Sequence, residues 1–507
     1  MAPTPADRPT ESDVVHVDGP GLQCLVDANA ADALGPWLKR GDPEAWPGLR
    51  EVKASRVRRV LQAELAAAAG PLQVHLKLYR AVRLSDRARD ALAGSRAARE
   101  FHNLREAQQR RLPCVAALAA GRFTGTFGAR SFLLTRTEPG APVPAGPLGP
   151  ELGRRVGGLL RTAHDAGLHA RDLHPGNLLQ RPDGSVVLLD LTSAAFAQAL
   201  ELDERARALA FFCLAMDGGV RDPGARALVQ AYEASPELVE RAAQRGRRLR
   251  HRALSAFGRR ATRACRHTKT ETAPGGVRRF WHLPTQEWHE RARSFLATPP
   301  TPAKSGRRGS VRLDEDLVCK ERTAAAARRL FRAAYWLDYA GVPCAAPVAL
   351  CTAMRRGQVV SRRVAGRTLA EEVREGGLSP AQRTRAARHL GEAVGRLHGH
   401  GLRNRDLKLD NLVRDPATDE VRMVDLDGIR RRAPDERRGQ AADLGRLLAA
   451  FRAAGSPGGT ATWIAFVRGY TRARRCLLRP IRLRDLLPPI EARASAWASA
   501  HATTPTP

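Results

Sequence analysis

The sequence predicts an α+β protein made of two similar halves, each a small β-rich lobe followed by a larger helical lobe. Three observations carry this. The stretch HDAGLHARDLHPGNLL, from His164 to Leu179, aligns without a gap with HGHGLRNRDLKLDNLV, from His398 to Val413; self-similarity at a fixed offset is the signature of a duplicated unit. Upstream of each copy lies a β-like run with a single lysine, QVHLKLY around Lys77 and DLVCKE around Lys320, then a helix-like stretch ending in LPC or VPC at Pro113 and Pro343. Finally, 507 residues are too many for one ordinary core and suit two domains of about 200 residues each.

Taken in order, residues 1–45 begin with a Pro-, Thr- and Asp-rich stretch and are expected to be a partly disordered extension. The first domain is expected over 46–268. TKTETAPGG and ATPPTPAKSG, with a short Trp-containing helical piece between them, predict a linker over 269–302. The second domain is expected over 303–490, and the end of the chain, AHATTPTP, predicts a disordered tail within 491–507. After the repeated motif each copy passes through an Asp-containing turn, RPDG or RDPATDE, into an apolar run that closes on Asp190 or Asp425. Both copies therefore read as helix, loop, hairpin strand, Asp.

Lys and Arg number 84 against 52 Asp and Glu, a net charge of +32. Such a field suits an acidic partner, and charge alone does not choose between anionic lipid and nucleic acid, or exclude an Arg-rich composition spread over a solvated surface. No zinc finger or RNP-type aromatic strand accompanies the charge, so nucleic acid is not the expected partner. Eight cysteines, at 24, 114, 213, 265, 319, 344, 351 and 476, include no CxxC pair and read as reduced thiols. With no signal-type apolar core at the N-terminus and no apolar run near 18 residues, the expectation is a cytoplasmic protein that spans no membrane.

Moving a phosphoryl group from a magnesium nucleotide requires few protein groups: a cation on the phosphates, carboxylate or amide ligands for the metal, and a carboxylate facing the acceptor hydroxyl. The first half supplies them all. Asp172 is followed five residues later by Asn177 and eighteen later by Asp190, the spacing of the protein-kinase catalytic loop and its metal-binding Asp. Lys77 sits on a predicted strand, and Glu100, 23 residues on in a helical run, is the carboxylate a phosphate-site lysine needs. The second half supplies Lys320, Asp406, Asn411 and Asp425, with Lys408 where the first has His174. Counting back from the shared Pro-Cys, Leu330 falls opposite Glu100. Either another acid substitutes there or the second domain binds nucleotide poorly and serves as a scaffold, and the impaired reading is preferred. Neither half has a GxGxxG loop before its lysine, and Asp190 and Asp425 are followed by Leu-Thr and Leu-Asp in place of Phe-Gly, which argues against an activation-loop switch.

Together with AAREFHNLREAQQRRLPCVAAL, SFLLTRTEPG and HxxGLxxRDLxxxNLL, these departures make the chain resemble the lipopolysaccharide core kinases that act on Kdo and heptose, over about 46–268 and more weakly over 303–480. The resemblance implies two tandem protein-kinase-like domains, ATP with Mg2+ as cofactor, and phosphorylation of a lipid-linked inner-core sugar at the inner face of the cytoplasmic membrane. Carried over, Asp172 is the catalytic base, with Asp406 its counterpart; Lys77 and Glu100, with Lys320, orient the phosphates; Asn177 and Asp190, with Asn411 and Asp425, hold the metal. Glu138 is expected to orient the lobe connection. The basic stretch Arg241–His267 reads either as a cationic helix on an anionic membrane surface or as a solvated helix closing its lobe. DLHPGN also resembles aminoglycoside and choline kinases, leaving a small-molecule or protein kinase, or a pair of non-catalytic pseudokinases, as alternatives; oligomeric state is not set by the sequence.

Overall fold

A computed structural model describes residues 13–502, apart from 56, 82–87, 89, 91–93, 125–129, 217, 308, 433–435, 455–458 and 476–482. The chain divides into two units, Met1–Gly246 and Arg247–Pro507.

In the first unit, VVHVDGPGLQCLVD folds as a hairpin of β1 (Val14–Gly19) and β2 (Leu22–Asp27), whose alternating Leu22, Cys24 and Val26 are buried. Helix α1 (Ala31–Leu38) follows, then β3 (Arg50–Ala54), β4 (Arg58–Leu65) and β5 (Leu72–Arg80). Helix α2 (Arg96–Gln109), capped by the Ser95 hydroxyl on Ala98 N, buries Glu100, Phe101 and Leu104. With β6 (Ala117–Phe123) and β7 (Arg130–Arg136), the strands form an antiparallel sheet ordered β1-β2-β6-β7-β5-β4-β3 among the described residues. The period-2 alternation of these strands supplies one buried face, including Leu61, Leu76, Phe132 and Leu134.

The helical lobe holds a small sheet made by β8 (Ala141–Pro142) with β10 and β11 below, and helix α3 (Pro150–Asp165). The repeated motif runs from α3 through β9 (Leu168–Ala170), a 3-10 turn at Pro175–Asn177, β10 (Leu178–Gln180), β11 (Val186–Leu188) and β12 (Ala194–Phe196). Helices α4 (Leu202–Phe212), α5 (Arg226–Ala231) and α6 (Pro236–Arg260) follow, the division between the units falling inside α6.

The second unit repeats the order. Strands β13 (Thr268–Ala273) and β14 (Val277–His282), helix α7 (His289–Ala297), strands β15 (Lys304–Gly306), β16 (Gly309–Leu313) and β17 (Leu317–Thr323), helix α8 (Ala324–Tyr339), and strands β18 (Pro347–Ala353) and β19 (Arg356–Arg362) build a sheet ordered β13-β14-β18-β19-β17-β16-β15. Its lobe contains β20 (Arg367–Thr368), α9 (Leu369–Glu375), α10 (Pro380–Gly399), β21 (Leu402–Asn404), β22 (Leu412–Arg414), β23 (Val421–Met423), β24 (Ile429–Arg431), α11 (Arg437–Ala453), α12 (Thr460–Arg475) and α13 (Leu483–Ala502). Helices α10 and α12 approach so closely that a Cβ on Gly391 would stand 2.1 Å from Phe466 O.

The expected boundaries shift. Residues 14–38 are not an extension but part of the first sheet and its covering helix. The segment expected as a linker, 269–302, instead supplies β13, β14 and α7: Pro274-Gly275-Gly276 is a hairpin turn, with Gly275 and Gly276 at φ +74° and +72° and Ala273 paired with Val277. The expected tail is helical to Ala502, and its last five residues, 503–507, lie outside those described, as do residues 1–12 and Cys476. The other seven cysteines are free thiols. Among the described residues no helix is long and apolar enough to cross a membrane.

Candidate phosphoryl-transfer sites

In the first unit β5 presents Lys77 to the buried face of α2. Its Nζ donates to Glu100 Oε1 at 2.6 Å and to Leu189 O at 2.9 Å. The other Glu100 oxygen accepts from Tyr79 OH and, at 2.7 Å, from Thr192 Oγ1. Glu100 is wholly buried, and these donors compensate a charge that would otherwise be very costly there.

Asp190 follows β11. Its Oδ1 accepts from Thr192 N at 3.1 Å and lies 2.8 Å from Thr192 Oγ1, whose single proton it shares with Glu100, and its Oδ2 accepts from Arg58 at 2.5 Å. Burial opposes ionisation of this carboxyl, but the charges of Lys77 and Arg58 and the Thr192 hydrogen bonds outweigh it and hold it at about 2. Asn177 uses its amide nitrogen on Asp172 O at 3.1 Å, which leaves the amide oxygen available as an acceptor. Asp172 is exposed, its carboxylate accepting from Ser193 Oγ. Glu138 binds Arg181 at 2.8 Å and so joins the segment after β7 to the β10–β11 hairpin. All five residues expected at this site, Lys77, Glu100, Asp172, Asn177 and Asp190, are linked through these contacts and the Asn177–Leu189 backbone bond of 2.9 Å.

In the second unit Lys320 Nζ lies 2.9 Å from Asp425 Oδ1 and 4.0 Å from Asp427 Oδ2, and Arg322 holds Asp427 at 3.1 Å. Burial again works against ionisation of Asp425, and Lys320 with the Asp427 N–H overcomes it, lowering the carboxyl below its ordinary value. Asn411 Nδ2 donates to Asp406 O and Oδ2, both at 2.9 Å, and Lys408 Nζ is 3.7 Å from Asp406. Leu330 lines a small cavity with Lys320, Ala345, Val359 and Leu426, so the position opposite Glu100 does face the lysine and carries no charge.

Residues 311–470 match the lipopolysaccharide kinase (Kdo/WaaP) family. The resemblance expected from the motifs thus holds over 311–470, the half in which the motifs predict the weaker likeness. No curated protein matches the chain. Among solved structures, a crystal structure of WbdD aligns at 13% identity over 38% of this chain and 49% of that one, with a TM-score of 0.26. A second, described as the bifunctional kinase-methyltransferase WbdD, aligns at 14% over 37% and 48%, with a TM-score of 0.25. The chain spans about half the length of these structures.

Within the Kdo/WaaP segment the missing helix carboxylate is replaced from the other side of the lysine. Tyr79, Glu100 and Thr192 of the first unit become Arg322, Leu330 and Asp427. Arg58, Tyr79, Thr192, Arg322 and Asp427 are absent from the expected site residues. Arg58 has one sequence signal, the basic residues in the hairpin where glycines would cover phosphates; its partner stands 132 residues away. The position matching Arg58 in the second sheet, by pairing with the lysine strand, is Gly309.

Proposed function

We propose that the chain is an ATP- and Mg2+-dependent kinase that phosphorylates a sugar hydroxyl of the lipopolysaccharide inner core, with the first unit as the catalytic one. One observation carries the reading: Lys77 is fixed between Glu100 and Leu189 O directly beside Asp190, which stays ionised despite burial. The donor set fits a hard divalent ion, since Asp190 and Asn177 offer oxygen ligands only. When bound, Mg-ATP supplies the transferable phosphoryl group and the metal charge that screens it.

The residues divide the remaining work. Asn177 and Asp190 hold the metal, Lys77 carries positive charge toward the phosphates, and Glu100 keeps that ammonium in place. Arg58, on β4 above Asp190, adds a second cation where the hairpin lacks glycines. Asp172, exposed and hydrogen-bonded by Ser193, accepts the proton of the acceptor hydroxyl. The second unit, whose lysine is held by Asp425, serves as a weaker nucleotide site. The net charge of +32 suits an anionic, lipid-linked acceptor at the inner membrane face.

The test is ATP turnover by the purified chain with magnesium, with and without a deacylated inner-core acceptor. Acceptor-stimulated turnover that disappears in Asp172→Ala supports the proposal. Absence of stimulation with Mg-nucleotide binding intact would transfer the search to a small-molecule or protein acceptor.

A further inference from the structure

The second unit gathers cations on one face in a way the first does not. Strands β21 and β24 pair with Arg403 opposite Arg430. The pairing continues past both strands, Arg405 N donating to Gly428 O at 3.0 Å and Arg432 N to Gly401 O at 2.7 Å. Because side chains alternate along a strand, Arg430 and Arg432 share a face with Arg403 and Arg405. Arg403 is neutralised by Asp443 at 2.9 Å and Glu436 at 3.5 Å. Arg430 instead donates to two carbonyls, Asp427 O and Ile429 O, both at 2.8 Å. The guanidinium groups of Arg405, Arg432 and Arg329, the last on α8, have no carboxylate partner among the described residues and are exposed.

Burial, then the charges of Arg329, Arg405 and Arg432, lower the Arg430 pKa from its ordinary value against the opposing pull of Asp427, so each of the three lies close enough to Arg430 to repel it. In the first unit the register places Ala195 and Ala197 where Arg430 and Arg432 stand. Arg99, which corresponds to Arg329, is paired there with Asp90. Unpaired like charges held together oppose folding and favour arrival of an anion, and the planar guanidinium fork matches a phosphate group.

We propose that Arg329, Arg405, Arg430 and Arg432 form a binding site in the second unit for a phosphomonoester dianion. This lies beyond the function proposed above, which rests on the first unit.

The experiment is calorimetric titration of the full chain at low ionic strength with glucose 6-phosphate, inorganic phosphate and, as the neutral control, glucose. Saturable binding of glucose 6-phosphate is expected, weakened at least tenfold in Arg430→Gln/Arg432→Gln and unchanged in Lys77→Met. The exposed single variant Arg432→Gln, which keeps the readout if the double variant does not fold, should weaken it at least threefold. No saturable binding, equal affinity in the arginine variants, or loss in Lys77→Met would overturn the site. Binding of inorganic phosphate without glucose 6-phosphate would overturn the phosphomonoester assignment.

Discussion

Lys320 is held by Asp425, the residue expected to bind metal, whereas the corresponding Lys77 is held by Glu100 on a helix. The two units thus place the same lysine on the same strand of equally ordered sheets and satisfy its charge from different elements.

Glu100→Gln is expected to destabilise the first unit by about 3 kcal/mol, because it removes the directly bonded carboxylate of the largely buried Lys77 and leaves Asp190 as its nearby counter-charge. Urea unfolding of the variant measures this; a change below about 1 kcal/mol would show the pair to be dispensable for stability.

Leu330→Glu should draw Lys320 away from Asp425 and restore the arrangement of the first unit. In an Asp190→Ala background, which weakens the first site, Mg-nucleotide affinity measured by calorimetry should rise at least several-fold. Unchanged affinity would mean that the absent helix carboxylate is not what limits the second unit.

Asp172→Ala should abolish acceptor phosphorylation while leaving the melting temperature close to that of the parent, since the side chain is exposed and, among the described residues, only Ser193 donates to its carboxylate. Asp406→Ala should retain most of the turnover. Equal losses in one assay would move catalysis to the second unit or share it between the two.

His164 is buried and hydrogen-bonded to Tyr232 at 2.7 Å. Burial, assisted by Arg205, lowers its pKa from an ordinary 6.5 to about 4. A base held neutral in the fold contributes stability that is complete above its unfolded pKa and is lost as pH falls toward the folded value, here from 6.5 to about 4. The contribution is on the order of 3 kcal/mol. His164→Gln should flatten the stability profile between pH 7 and 4, and an unaltered slope would remove His164 as its cause.

The lysines, the Asp-x4-Asn pairs and the acids closing the hairpins were legible because the motif repeats at fixed spacing and the chemistry tolerates few residue types there. The second pair of partners was not. Arg58 reaches Asp190 from a distant strand, and only packing brings them together. Asp427 could be read only as a departure from Phe-Gly, since nothing in its spacing says that it faces Lys320. The β13–β14 hairpin escaped because Pro-Gly-Gly marks a linker and a tight turn equally well. The first hairpin escaped for a similar reason, its alternation following a stretch of disorder-like composition.

The exchange of Glu100 for Asp427 also changes what each lysine is mechanically tied to. In the first unit Lys77 is coupled to α2, so any rotation of that helix is transmitted to the ammonium through Glu100. In the second, Asp425 and Asp427 both lie on the short segment after β23, and Leu330 offers α8 only an apolar contact. Helix α8 can turn without pulling on Lys320, so the helix-driven lever available to the first unit is disconnected in the second.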